Sequence, residues 1–194
     1  MTGQELMLNP HKTALVVIDL QQGILQRRAE PRGVDEVLGN AIQLADGFRQ
    51  AQGFVVLVHV GPSPDGGDAL RPVTDNPVAG GGTPPEGWDQ IAPELGPKAG
   101  DHVVRKRQWG AFYGTDLDLQ LRRRGIDTIV LCGIATHIGV ESTARSAFEH
   151  GYQQIFVEDA CSDLSAEAHC FSMEHVLARI GRVRSTKEVL QALE

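Results

Sequence analysis

Two kinds of apolar pattern alternate along this chain. Unbroken apolar runs, such as Thr13–Leu20, are typical of strands buried on both faces of a sheet, whereas apolar residues recurring every three or four positions are typical of helices packed on that sheet. The runs predict five main strands and a short sixth one, at 13–20, 54–60, 102–106, 128–133, 154–158 and 182–184.

Helical patterns fall between most of these runs. The segment 34–52 carries apolar residues at helical spacing and is followed by Gly53, a common residue just after a helix end. Thr115 with Asp118 resembles a capping box, and Ser185 with Glu188 forms one at the start of the last helix. The remaining helices are predicted at 115–125, 139–150 and 166–180, with a short one near 88–95.

This alternation predicts right-handed strand–helix–strand units and therefore a parallel sheet. The expected fold is a single α/β domain over residues 1–194, with three α/β/α layers and a doubly wound, Rossmann-like sheet of six strands in the order 3-2-1-4-5-6. Eight of the ten prolines lie in residues 61–100. A segment of this kind predicts a long loop, which in a compact domain is usually a lid, a binding loop or an oligomer contact.

Composition and charge narrow the classes of function. The net charge of −7 argues against nucleic acid as a partner, because phosphate binding needs a basic face. No apolar run is long enough to span a bilayer, and the first residues lack the apolar core of a signal peptide. The three cysteines have no C-x-x-C spacing and do not predict disulfides or a zinc site. We therefore expect a cytoplasmic protein with a small-molecule substrate.

Candidate chemistry lies at the predicted carboxyl ends of the strands, where open parallel sheets bind ligands. Asp19 is a carboxylate at the end of an apolar run, which is costly to bury unless it is paired or functional. Lys106 ends the third strand and could pair with it. The turn 132–139 joins a strand to a helix, and its N–H groups could bind an anion. A purely structural role could explain each feature taken alone.

Several kinds of site are not predicted. The chain has neither of the common glycine-rich phosphate loops and no G-x-S-x-G nucleophile turn. Its histidines are scattered, and His59 is read as a core or rim residue. We therefore expect no cofactor and no metal.

Three segments, 13–25, 103–148 and 158–163, resemble the isochorismatase-like (cysteine hydrolase) superfamily. They carry D-x-Q after the first strand, then K-x-x-x-x-x-F-x-x-T-x-L, then G-I-A-T-x-x-x-V-x-x-T-A. The resemblance covers almost the whole chain outside 61–100 and implies a hydrolase that assembles as a homodimer or a larger homo-oligomer. Relatives that bind zinc carry D-x-H after the first strand and a further histidine after the second. At these places this chain has D-L-Q and the sequence HVGPSP at 59–64, so the resemblance does not imply a metal.

The resemblance also implies the site residues. The family's catalytic aspartate and lysine correspond to Asp19 and Lys106, and Gly139 stands at the position of its nucleophilic cysteine. The family's non-proline cis peptide would be Ile134–Ala135, which would aim the N–H groups of Ala135 and Gly139 at one oxyanion. The residues expected to line the pocket are Gln21, Trp109, Phe112, Tyr113, Thr136 and His137. Simple packing is the alternative for the three aromatics, and Phe112 is the one that best fits a core position.

Gly139 has no side chain that could attack a substrate, which favours a hydrolase that forms no covalent intermediate. Asp19 would then act as general acid or base, for example in the hydrolysis of a vinyl ether. The family's isochorismatase branch also has glycine there and shares His137 and Ile138. This chain departs from that branch at Ala135 and Thr136, which puts isochorismate itself in question. The alternative is a non-catalytic binding or regulatory homologue that has lost amidase chemistry, and a cysteine amidase is the third reading.

Overall fold

A computed structural model describes residues 6–76 and 84–193 of the chain. The sheet has six strands in the order β3-β2-β1-β4-β5-β6, and every pair is parallel, as predicted. The strands are β1 Thr13–Ile18, β2 Phe54–Val60, β3 His102–Lys106, β4 Thr128–Ile134, β5 Gln153–Ser162 and β6 Arg182–Arg184.

Helices flank this sheet and bury its central strands. The longest, α2, packs against β1, β2, β4 and β5, and every residue of β1 is buried. The helices are α1 Gln22–Leu25, α2 Val34–Gln50, α3 Leu117–Arg123, α4 Glu141–Glu149, α5 Ala166–Phe171, α6 Ala178–Ile180 and α7 Thr186–Gln191, with π-helical turns at Thr136–Val140 and Ser172–Leu177. Within the described residues, none of the helices has the length and apolar character needed to cross a membrane.

Strand β5 continues past the predicted end at residue 158. The polar residues that follow are satisfied by neighbouring elements: Arg32 donates to the Glu158 carboxylate at 3.2 Å, and the Thr186 N–H donates to the Asp159 carboxylate at 2.7 Å. The pairing of β5 with β4 is irregular between Leu131 and Gly133. Polar side chains with partners of this kind do not end a strand, although they interrupt its apolar pattern.

The short helix expected near 88–95 is absent. Backbone groups of this segment form isolated turns, such as the Leu95 N–H bond to the Ala92 carbonyl at 3.0 Å, and others bond to the chain that follows β1. The Ala92 N–H donates to the Leu20 carbonyl at 3.0 Å, and the Gln22 N–H donates to the Gln90 carbonyl at 2.8 Å. These bonds fasten one end of the proline-rich segment beside the carboxyl end of β1.

One of the two predicted capping boxes is confirmed. Ser185 and Glu188 bond reciprocally at the start of α7. The box at Thr115 is wrong, because α3 begins at Leu117 and Asp118 instead accepts a hydrogen bond from the Tyr152 hydroxyl at 2.7 Å.

Candidate active site

The carboxyl ends of the strands bring the predicted chemical groups together. Asp19 directly follows β1, Lys106 is the last residue of β3, and Ala135 directly follows β4. Asp19 has a left-handed backbone with φ of 54°, and its N–H donates to the Val58 carbonyl at 2.9 Å. The chain therefore turns sharply at the carboxylate while staying bonded to the neighbouring strand.

Asp19 and Lys106 form a buried ion pair. The lysine Nζ donates to Asp19 Oδ2 at 2.7 Å, and the side chains of Lys106 and Asp19 are 1% and 8% exposed. The ammonium also donates to the carbonyls of Gln108 at 3.2 Å and Trp109 at 2.8 Å. Three acceptors use the full donor capacity of an ammonium, so Lys106 is fixed in place.

Burial dominates the ionisation of Asp19. Removal of the carboxylate from water raises the pKa of Asp19 from 3.8 to about 6, and the charge and hydrogen bond of Lys106 only partly oppose this rise. The second oxygen, Oδ1, is buried and has no hydrogen-bond partner among the described residues. Asp19 can therefore hold or release a proton near neutral pH.

The turn after β4 faces this pair. It contains the cis peptide Ile134–Ala135 and a π-helical bond in which the Val140 N–H donates to the Ala135 carbonyl at 3.2 Å. A Cβ atom built on Gly139 would lie 3.1 Å from Asp19 Oδ2 and 3.5 Å from Lys106 Nζ. Any side chain at position 139 would therefore project onto the ion pair.

A cavity of about 270 Å³ opens over these groups. Asp19, Lys106, Ala135 and Gly139 line it together with Trp109, but most of its wall is apolar. The remaining lining residues are Ile24, Arg27, Arg28, Ala29, Val60, Trp88, Gln108, Ile134, Ile138 and Leu164. An apolar cavity with a few convergent polar groups is the usual form of a small-molecule site.

A larger cavity of about 410 Å³ lies at the opposite ends of the strands, their amino ends, near the start of β2. Its charged groups are already paired: Arg49 donates to Asp101 at 2.7 Å, and the guanidinium of Arg124 stacks on the Phe54 ring at 4.2 Å. No group there combines burial with a free lone pair in the way Asp19 does. We therefore place the candidate site at the carboxyl ends.

Gln21 supports the cavity wall instead of lining it. Its side chain is fully buried, accepts from the Val60 N–H at 2.8 Å, and donates to the carbonyls of Val60 at 3.0 Å and Trp88 at 3.3 Å. A Cβ atom on Gly23 would lie only 1.9 Å from the Trp88 ring, so the indole rests directly on the Gly23 backbone. Gln21 and Gly23 together seat Trp88 in the wall.

Two of the three aromatics expected to line the pocket, Phe112 and Tyr113, do not border this cavity. Phe112 is buried against the rings of His150 and Tyr152, with ring centres 5.1 and 5.9 Å away. Tyr113 is 82% exposed and does not line the cavity. The chain turns after Trp109, so only that residue of the group faces the site.

Thr136 and His137 also lie outside the cavity wall and stabilise the turn from behind. The Thr136 hydroxyl donates to the Ser162 carbonyl at 3.0 Å. His137 approaches the fully buried Asp163 through both its backbone N–H and its ring Nδ1, each at 2.7 Å. Neither residue borders this cavity, in contrast to the expectation, because both point toward β5 and the segment after it.

Sequence reasoning missed Trp88, Arg27, Arg28 and Asp163. Trp88 lies in the proline-rich segment, whose path no periodic pattern defines. The arginines follow a helix of only four residues, Gln22–Leu25, which gives no recognisable spacing. Asp163 ends the D-A-C-S-D segment and could have been found by its place after the fifth apolar run, the same signal that identified Asp19.

Cysteines lie away from the cavity lining. Cys132 and Cys161 are fully buried in the sheet, and loss of hydration raises the pKa of Cys132 well above its ordinary value and that of Cys161 to about 12. Cys170 is exposed on α5. None of the three is placed to attack a ligand beside Asp19.

His59 behaves as the rim histidine expected from the sequence, since its Nδ1 lies 2.7 Å from the Asp89 carbonyl. Among the residues that the structure describes, no three His, Cys, Asp or Glu side chains are grouped as metal ligands would be. Asp19 and Lys106 are the charged groups at the floor of the cavity.

The raised pKa of Asp19 should make the free energy of unfolding depend on pH. The folded-state pKa is raised above 3.8, so its contribution to stability is full below about pH 4 and is lost as pH rises through about 6. Relative to Asp19→Asn, we expect the unfolding free energy of the wild type to fall by roughly 2 kcal/mol between about pH 4.5 and about pH 7. Urea denaturation of both proteins across this range measures it, and a constant difference would contradict the raised pKa.

Comparison with known proteins agrees with this architecture. The isochorismatase domain profile matches residues 13–188. The chain is 55% identical to the uncharacterised isochorismatase family protein YwoC of Bacillus subtilis, over 94% of this chain and 95% of that one. It is also 55% identical to the uncharacterised family protein YecD of Escherichia coli O157:H7, over 97% and 100%.

A solved structure shows the same fold. An isochorismatase family protein from Burkholderia thailandensis superposes with a TM-score of 0.92 and 45% sequence identity, covering 98% of this chain and 99% of that one. Together with the domain match, this similarity extends over the sheet and all the residues of the candidate site. The chain belongs to the isochorismatase family.

Proposed function

We propose that this protein is a hydrolase that cleaves a small molecule by proton transfer from Asp19, without a covalent cysteine intermediate. The observation that carries the proposal is the state of Asp19, a buried carboxyl that lines an apolar cavity, has a pKa of about 6 and has no hydrogen-bond partner for Oδ1 among the described residues. A group with these properties suits general acid catalysis near neutral pH.

The proposed reaction is a hydrolysis of the vinyl-ether type. Asp19 gives its proton to the vinyl carbon of the substrate, water adds to the oxocarbenium ion that results, and the proton released from water restores the carboxyl. The hemiketal then collapses: its C–O bond to the leaving group breaks, the hydroxyl proton passes to the departing oxygen, and a carbonyl compound and an alcohol are released. Lys106 holds Oδ2 at 2.7 Å, which leaves Oδ1 as the oxygen that exchanges the proton. The N–H groups of Ala135 and Gly139, on the turn that lines the cavity, would donate to the departing oxygen as negative charge develops on it during cleavage of the hemiketal C–O bond.

The absence of sulfur at the cavity supports this reading over amidase chemistry. Gly139 offers no nucleophile, although a side chain there would point at Asp19 and Lys106. The buried thiols of Cys132 and Cys161 have raised pKa values and stay protonated near neutral pH. These observations support a reaction that uses water and the carboxyl of Asp19.

The decisive test is a substrate screen that includes isochorismate and small amides, run on the wild type beside Asp19→Asn. Asparagine keeps the shape of the side chain but cannot supply the proton, so we expect kcat to fall by about 10²- to 10⁴-fold for any substrate found. The control is Glu149→Gln, an exposed carboxylate on α4, which should leave kcat unchanged.

Two results would contradict the proposal. Turnover that survives Asp19→Asn would show that another group transfers the proton, and a covalent adduct on a cysteine during turnover, seen by mass spectrometry, would restore the amidase reading. A ligand that binds in the cavity and is never converted would instead favour a binding or regulatory protein.

A further inference from the structure

The mouth of the site cavity carries two arginines. Arg27 and Arg28 line it, and both are exposed to solvent. With Lys106 they give the lining three cations against the single carboxyl of Asp19, in a chain whose net charge is −7. The cavity therefore has the opposite charge to the protein as a whole, and this contrast favours an anionic ligand.

The backbone that carries these arginines is held at both ends. At one end the Arg27 N–H donates to the Ile24 carbonyl at 3.0 Å, which closes the turn after α1. At the other end Glu30 exchanges two backbone hydrogen bonds with Asp163, at 2.7 and 2.8 Å. The guanidinium groups therefore extend from a fixed segment and need to order only their own side chains on binding.

Neither guanidinium is committed to a strong partner. Arg27 makes no side-chain hydrogen bond or ion pair with the described residues, whereas Arg32, on the same segment, pairs with Glu158 at 3.2 Å. Arg28 reaches Glu30 at 2.8 Å, but its side chain is 88% exposed. An ion pair this exposed contributes little, so a ligand can replace it.

We propose that Arg27 and Arg28 form a carboxylate-binding subsite at the mouth of the cavity, and that the protein selects small, largely apolar carboxylic acids. The carboxylate lies against the arginines, whose planar groups suit a two-oxygen anion, and the apolar part lies between Trp88 and Trp109. This assignment rests on the proposed function, since it places the reacting end of the ligand at Asp19.

Binding can be measured without knowing the natural substrate. The chain has two tryptophans, Trp88 and Trp109, and both line the cavity, so intrinsic fluorescence reports its occupancy. Benzoate and benzamide are matched probes, nearly equal in shape and different in charge. We expect benzoate to bind the wild type more tightly than benzamide in a buffer free of other organic anions.

The discriminating variant is the double substitution Arg27→Gln/Arg28→Gln. We expect it to weaken benzoate about 10- to 100-fold, the loss of one or two charged hydrogen bonds, and to change benzamide less than about twofold. Arg182→Gln, an exposed arginine at the start of β6, is the control and should bind both probes as the wild type does.

Four outcomes would overturn the subsite. Two concern the wild type, which would bind neither probe or bind both with equal affinity, and two concern the double variant, which would keep its affinity for benzoate or lose affinity for both probes alike. Because binding requires no turnover, these results are separate from the kinetics of Asp19→Asn, and the subsite and the acid catalysis can fail independently.

Discussion

The substitution Gly133→Ala should prevent folding or lower the free energy of unfolding by at least about 4 kcal/mol. Gly133 has φ of +125°, outside the conformations that L residues adopt, and a Cβ atom there would lie 2.0 Å from the Ile18 carbonyl oxygen and 2.8 Å from its carbonyl carbon. These are atoms of the β1 backbone in the centre of the sheet, so no side-chain rotation relieves the contact.

Two other glycines separate the cost of an unfavourable φ from the cost of the contact with the β1 backbone. Gly125→Ala keeps an unfavourable φ of +68° in open space and should cost only about 1–2 kcal/mol. Gly39→Ala, in α2 with nothing within 4 Å, should stabilise the protein by up to about 1 kcal/mol. Urea denaturation of the three variants measures the series. A Gly133→Ala protein as stable as Gly125→Ala would contradict the close approach of β4 to β1.

This close approach bears directly on the site. Gly133 pairs with Ile18, the residue before Asp19, and is followed by Ile134 and Ala135 of the turn. The absence of a side chain at 133 lets the strand end come close enough to face the carboxylate and Gly139. The same contact explains why a glycine stands inside a strand that is otherwise apolar, which the sequence pattern alone did not explain.

Much of the sheet was predictable because its central strands β1, β2 and β4 are nearly continuous apolar runs. The predicted limits of β2, β3 and β6 match the structure, and the parallel direction of the strands follows from their alternation with helices along most of the chain. The Asp19–Lys106 pair was also predictable, since parallel strands end at a common edge and alternation places Lys106 on the same face as the buried Val104.

The walls of the cavity were not predictable, because contacts between distant segments form them. Trp88 reaches the site only through its backbone bond to Gly23 and through Gln21, whose role depends on the ends of two strands. Phe112 was assigned to the pocket on its position after Lys106, yet it packs against Tyr152. Distance along the chain from a catalytic residue does not determine which way a side chain in a turn points.

Lys106→Met should lower the free energy of unfolding by about 3–5 kcal/mol at neutral pH. The change keeps an unbranched side chain but removes the ammonium from Asp19 and from the carbonyls of Gln108 and Trp109. Without its partner the buried carboxyl must take up a proton, so its pKa rises further. The loss should therefore be smaller at about pH 4.5 than at about pH 7, which urea denaturation at the two pH values measures.

A double-mutant cycle with Asp19→Asn separates the free energy of the Asp19–Lys106 interaction from that of the other bonds that Lys106 makes. If the cost of Lys106→Met comes mainly from an unpaired buried carboxylate, removing that charge as well should restore about 1–3 kcal/mol at neutral pH. The double variant would then be more stable than Lys106→Met alone, and its stability would depend little on pH in the range where Asp19 titrates. Additive losses would instead show that Lys106 acts mainly through the two carbonyls and that its charge has little effect on the protonation of Asp19.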